Sequence, residues 1–391
     1  MAGSTDPCES GHPFWERWRQ QMPVARRWAY LDHAAVSPLP EPARQAIVRW
    51  AEEAATVGDV AWKGWSQQVE QLRLAAARWV GADPEEIALV GSTTEGITLV
   101  AEGFPWKEGD NVVTLADEFP SNQYPWLNLA DRGVETRRVR TDGGRVDMDR
   151  LAEAIDRRTG IVTVSWVGYA SGWRNDLDRL AALAHERGAL LFVDAIQGLG
   201  AFDLDVRRTP IDFFAADGHK WMLGPEGAGL FFVRRRHLDL LRPIGVGWSS
   251  VVHARDYDRI ELRLKPSASR YEGGSRNMAG LIGLGESVRL LSRLGAGAIQ
   301  RRVLEITDLA CRRLQRLGAI IHSDRSSRHK SGIVSFEVPG CDPSTVRRRC
   351  LDARVVLSCR GGRLRISPHG YNSEEDIDRL IAVVAACQRA G

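Results

Sequence analysis

Between residues 86 and 233 the chain alternates short apolar runs with amphipathic stretches. Residues 87–90, 112–115, 161–166, 189–193, 213–216 and 230–233 are apolar and bounded by Gly, Asp or Pro, which predicts buried strands. Residues 94–101, 124–131, 147–155 and 177–187 carry helical spacing between them. Strand and helix in alternation predict an α/β fold, a mostly parallel sheet covered by helices. Such sheets bind ligands beyond the carboxyl ends of their strands. The pattern changes towards the C-terminus. Helical runs at 277–294 and 299–317 precede strand-like 332–338, a helix at 343–352, strand-like 355–357 and 364–367, and a last helix at 374–389. This predicts a large domain over 30–260 and a smaller α+β domain over 261–391. Residues 1–29 form an N-terminal segment, rich in Trp and Arg from 13 onwards, expected to pack on the small domain. Residues 41–55 read as a helix.

Composition narrows the classes. Of 391 residues, 43% are hydrophobic and 26% charged, which fits a globular protein and excludes disorder throughout. The net charge of +3 and the lack of a long basic run argue against a nucleic-acid partner. No apolar stretch approaches the roughly 20 residues a membrane helix needs. The first eight residues lack the charged and apolar regions of a signal peptide. The six cysteines are scattered with no CxxC pair, so neither a metal site nor a disulfide framework is expected, and the cytoplasm is the expected compartment. Only five lysines occur, Lys63, Lys107, Lys220, Lys265 and Lys330, so chemistry that needs a side-chain amine must use one of these.

Three motifs carry chemistry. Asp217-Gly218-His219-Lys220-Trp221 follows the strand 213–216 directly. A lysine at a strand end beside glycine suits a desolvated amine that forms a Schiff base; the alternative is a lysine reaching out from the core edge. Asp194 ends the apolar run before Ala195-Ile196-Gln197-Gly198. A buried carboxylate needs a cationic partner, such as a protonated pyridine nitrogen, unless it merely caps the next helix. In Gly91-Ser92-Thr93-Thr94-Glu95-Gly96, hydroxyls and free N–H groups at a helix start suit a phosphate, or make a simple N-cap. No P-loop is present. Phosphate, pyridine and aldehyde partners at successive strand ends together match pyridoxal 5'-phosphate.

On these motifs the chain resembles the class V aminotransferase family of pyridoxal phosphate enzymes, which includes cysteine desulfurases, isopenicillin N epimerase and kynureninase. Tyr30-Leu31-Asp32-His33-Ala34-Ala35, the Asp194, Gln197 and His219-Lys220 arrangement, Tyr271-Glu272-Gly273-Gly274-Ser275-Arg276-Asn277, and Leu364-Arg365-Ile366-Ser367-Pro368-His369 with Tyr371-Asn372 carry the likeness. It extends from Tyr30 to the last helix. The resemblance implies the PLP-dependent transferase fold, aspartate aminotransferase-like and of fold type I. It implies that Lys220 holds the cofactor and moves the Cα proton, that Asp194 pairs with the ring nitrogen, and that Gln197 meets the ring hydroxyl. Thr93, Thr94 and His219 would bind the phosphate. Ser275 would reach the phosphate of a neighbouring subunit, which implies a homodimer with shared active sites. Arg365 would clamp the α-carboxylate of an amino-acid substrate, with Ala35, Trp62 and Arg360 also at the substrate.

The chain departs from its relatives in places. Phe119 stands where desulfurases have a ring-stacking, proton-moving His; Phe stacks but moves no proton. Arg360-Gly361-Gly362-Arg363-Leu364-Arg365 leaves no room for the desulfurase loop with its nucleophilic Cys, and Cys359 reads as a structural thiol. Asp217 stands where relatives often have a phosphate-binding Ser, and Trp166 where they have a small polar partner of the ring hydroxyl. The expected function is a lyase-type reaction at Cβ, C–S cleavage included, or a transferase reaction on an amino acid. Epimerisation and true transamination are the alternatives within chemistry. A catalytically inactive binding protein on the same fold is the alternative outside it.

Overall fold

The structure, a computed structural model, describes residues 14–390. The apolar runs assemble into one seven-stranded sheet. Its strands lie in the spatial order Ile87–Val90, Gly229–Val233, Phe213–Asp217, Leu190–Asp194, Thr159–Ser165, Asn111–Leu115 and Glu135–Val139. Only Gly229–Val233 is antiparallel to its neighbours; the other six run one way. Every residue of Phe213–Asp217 and Gly229–Val233 is buried. A sheet covered on both faces leaves no polar side, so its strands are continuous apolar runs. The strand Glu135–Val139 is absent from the sequence reading above. It lies at the sheet edge, pairs with one neighbour only, and carries Glu135, Arg137 and Arg138. Charge on an edge blocks edge-to-edge pairing and hides the strand from an apolar pattern. Residues 124–131 also differ from expectation: a single α turn, Tyr124–Leu127, passes into a 3-10 turn, Asn128–Arg132.

One close approach sets the site. The helix Thr93–Gly103 packs on Phe213–Asp217, and a Cβ at Gly96 would lie 2.5 Å from Ala215 Cβ. Glycine at 96 therefore lets the start of this helix sit over the strand that leads to Lys220. On the other flank, the helix Met278–Leu294 packs against Glu41–Thr56 and Trp62–Val80.

A second core gathers Ala29, Leu31 and side chains from Ile306 to Cys387. It lies under a four-stranded antiparallel sheet ordered Ser358–Arg360, Arg363–Ile366, Val334–Glu337 and Ile320–Ile321. Ala29–Tyr30 pairs in parallel with Val355–Val356. Trp18 is fully buried, edge-on to His369 at 4.8 Å, and Arg19 bridges to Asp376 at 2.7 Å. These contacts tie residues 14–30 to the last helix, Glu374–Ala390. Residues 1–13 of the N-terminal segment, Cys8 included, lie outside the described residues. Among the described residues no helix is long and apolar enough to cross a membrane.

Candidate active site

Parallel strands present their carboxyl ends along one sheet edge. Val90, Leu115, Ser165, Asp194 and Asp217 all end strands there. A cleft of about 280 Å³ opens at this edge. Lys220, Asp194, Gln197 and His219 line it, with Thr93 and Thr94 on one side and Phe119 on another. Ala35, Arg360 and Arg365 reach it from the N-terminal signature and the second sheet.

Burial sets the electrostatics. Asp194 is 2% exposed; its Oδ1 accepts the Ile196 N–H at 3.1 Å, and among the described residues no cation forms an ion pair with it. Burial pushes its carboxyl up to about 6, with Lys220 opposing the shift. Burial lowers the Lys220 amine to about 8, against the pull of Asp194 and with help from Arg365. The Lys220 Nζ lies 5.4 Å from the centre of the Phe119 ring. The Gln197 amide is fixed at both ends: it donates to the Ala34 carbonyl at 3.0 Å and accepts from the Trp221 indole at 2.9 Å.

The phosphate side is built at the helix start. The Ser92 hydroxyl accepts the Glu95 N–H at 3.0 Å. This leaves the first N–H groups of the helix, those of Thr93 and Thr94, for a ligand. The Thr93 hydroxyl accepts the Asp217 N–H at 2.9 Å, and Thr94 donates to Ser121 at 2.8 Å. Asp217 Oδ1 and His219 Nδ1 are buried without a hydrogen bond, although Nδ1 lies 3.0 Å from Asp217 Oδ2.

Arg365 is 1% exposed. Its Nε donates to Ser358, Nη1 to the Tyr169 carbonyl at 2.7 Å, and Nη2 to Asp32 at 3.1 Å. A guanidinium has five N–H donors, so one remains on each terminal nitrogen. Two adjacent donors on a fixed plane suit a carboxylate. Asp32 itself is raised by burial and held down by Arg365.

Sequence reasoning missed three residues. Tyr169 packs edge-on to Phe119 at 5.2 Å and lines the cleft. Asp32 orients Arg365. Glu118 sits buried behind Phe119, accepts the Ser165 N–H at 2.7 Å, and is pushed up to about 7 by burial. Asp32 lies inside a quoted motif, and Glu118 and Tyr169 follow strand ends; only those positions could have flagged them.

Two candidates lie elsewhere in the chain. Trp62 and Ser275 line a separate cavity of about 290 Å³ with Trp248 and Arg255. Ser275 also borders Gly91 and Glu95, beside the helix that starts at Thr93. Its loop is anchored by the buried pair Arg73–Glu272, 2.5 Å apart. Trp166 does not line the cleft; it is buried against Phe202 and the Gly198 backbone.

The model of the family described as aminotransferase class-V matches residues 29–380. The chain belongs to the class V aminotransferase family. It is 32% identical over 386 residues to a probable cysteine desulfurase of Methanothermobacter thermautotrophicus, covering 93% of this chain and 95% of the relative. It is 30% identical to an isopenicillin N epimerase of Streptomyces clavuligerus, covering 94% and 96%. A solved cysteine desulfurase of Thermococcus onnurineus superposes over 100% of both chains with a TM-score of 0.86 at 26% identity. The protein is thus a pyridoxal phosphate enzyme of the α/β fold that the resemblance implied. Its residues fit the cofactor: an unpaired buried carboxylate for a ring cation, a desolvated amine for an aldehyde, and helix N–H groups for a phosphate.

Proposed function

We propose that the protein is a lyase that breaks a bond at Cβ of an amino acid, with C–S cleavage first. One observation carries the reading. Among the described residues that line the cleft, Lys220 is the one amine, and burial brings it to about 8, near neutrality. A base so tuned works at physiological pH.

The bound cofactor supplies an electron sink. Lys220 holds it and takes the proton from the substrate Cα. Asp194 keeps a proton on the ring nitrogen, which offsets the cost of its own burial. Gln197 faces the ring hydroxyl. Thr93, Thr94 and His219 take the phosphate. Arg365 orients the α-carboxylate with its two remaining N–H groups, while Ala35 and Arg360 border the substrate. Phe119 would pack on the ring and has no proton to move, so Lys220 would carry the proton for both removal and return.

No cysteine lines the cleft among the described residues. The Cys359 thiol donates to the Pro343 carbonyl at 3.5 Å, and burial raises it, which makes a poor nucleophile. This supports release of sulfur as a free product, not as a protein persulfide. The test feeds L-cysteine and thioether amino acids to the purified protein. Sulfide or thiol with pyruvate is the expected result. A persulfide on Cys359 with sustained alanine release overturns it; a keto acid with aminated cofactor would make the protein a true aminotransferase.

A homodimer completes the reading. Ile260 is 94% and Leu262 77% exposed, in the segment that borders the Trp62 and Ser275 cavity. Apolar exposure on this scale supports an interface. Its closure would bring Ser275 to the partner's phosphate. The cytoplasm is the proposed compartment, supported by five free cysteines among the described residues.

A further inference from the structure

A second cavity of about 300 Å³ opens beside the cleft and shares Tyr169 and Arg360 with it. The hairpin of Ser358–Arg360 and Arg363–Ile366 forms one wall. Gly361 and Gly362, at φ +55° and +75°, make its two-residue turn. The register sets Arg360 directly opposite Arg363. Like charges opposite one another destabilise a strand pair. Among the described residues neither arginine has an acidic partner within ion-pair distance; Arg360 donates only to the carbonyl of Cys359, at 2.8 Å. Elsewhere this chain pairs its arginines readily: Arg313 bridges Glu374 at 2.9 Å and Asp378 at 2.6 Å.

The acids of the same cavity are already satisfied. Thr141 donates to Asp117 at 2.8 Å, and Ser165 donates to Glu118 through both its N–H and its hydroxyl. His322 lies on Glu337 at 3.3 Å. Among the described residues, the charged donors left without an acidic partner here are those of Arg360 and Arg363. Arg363 and Arg365 stand two positions apart on one strand, on the same face and roughly 7 Å apart along it. Arg363 lines the cavity and Arg365 the cleft.

We propose that the cavity binds a carboxylate at the far end of the substrate side chain, held by Arg360 and Arg363, while Arg365 holds the α-carboxylate. The substrate class is then an amino acid with a terminal acid, such as a cysteine thioether whose sulfur substituent ends in a carboxylate. The inference rests on the amino-acid reading of the cleft given above.

Calorimetry on the holoenzyme tests it with probes that cannot eliminate: L-glutamate and L-2-aminoadipate, each against its ω-amide. The acid should bind at least tenfold more tightly than the amide at one length. Arg363→Gln should abolish that preference and leave amide binding within about twofold; Arg363→Lys should keep part of it. A preference under threefold at both lengths, or one that survives in Arg363→Gln, overturns the inference while the amino-acid reading stands. Failure of every α-amino acid to bind, L-cysteine included, sinks both.

Discussion

Replacing Asp194 with asparagine should stabilise the cofactor-free protein above neutral pH. The carboxyl is 2% exposed and is raised by burial from 3.8 to about 6. An acid with a raised folded pKa is penalised in its charged form. The penalty is absent below the unfolded value, grows as pH rises through 3.8 towards 6, and is constant above. Taken over both values it amounts to about 3 kcal/mol at pH 8 and about half of that at pH 5. Asparagine keeps the Ile196 hydrogen bond and carries no charge. It leaves its own N–H₂ unpartnered and removes an attraction for Lys220, which lowers the gain to about 1–3 kcal/mol. Urea unfolding of the apo forms at pH 8 and pH 5 reads the effect: Asp194→Asn should be the more stable at pH 8, with the gap smaller by about 1–2 kcal/mol at pH 5. The same variant should hold the cofactor more weakly, because the ring nitrogen loses its anion. Equal destabilisation at both pH values would refute the reasoning, since it would mean that the carboxylate is satisfied without a ligand.

Four further outcomes follow from the same contacts. The Lys220 amine, lowered to about 8, should capture pyridoxal phosphate in the apo protein at a rate that rises through pH 8 and levels off above about 9; borohydride reduction should place the adduct on Lys220, and a midpoint near 10 or an adduct elsewhere would exclude it. Arg365→Lys loses the planar fork and at least one charged hydrogen bond, about 1.5–3 kcal/mol, so KM for amino acids should rise roughly 10- to 150-fold with the fold intact by circular dichroism. Gly96→Ala puts a methyl 2.5 Å from Ala215 Cβ, so the helix must back off; unfolding should show a loss of about 1–3 kcal/mol with weaker phosphate binding. Ser275→Ala should loosen the cofactor by about 1.5–3 kcal/mol; unchanged retention would mean that Ser275 reaches no phosphate.

Much of this molecule is written locally. The central parallel strands are buried on both faces, so 161–166, 189–193 and 213–216 stand out as apolar runs whatever surrounds them. Lys220 and Asp194 are legible for a related reason: a charged residue just past such a run sits at a sheet edge, where bound chemistry accounts for it. Glu135–Val139 is not legible, because an edge strand has one neighbour and keeps its charges in water. Nor does local pattern place Trp62, which reads as a channel residue yet begins the helix Trp62–Val80 and lines the cavity of Ser275. Arg365 gains its orientation from Asp32 and the Tyr169 carbonyl, 333 and 196 positions away in the chain. Glu118 gains its raised proton affinity from burial between strands, with Asp194 adding to it and the Ser165 hydrogen bonds opposing it. Periodicity reports which face of an element meets the core. Which two elements meet each other, and so which proton is held where, depends on packing between distant segments, and only the folded chain decides it.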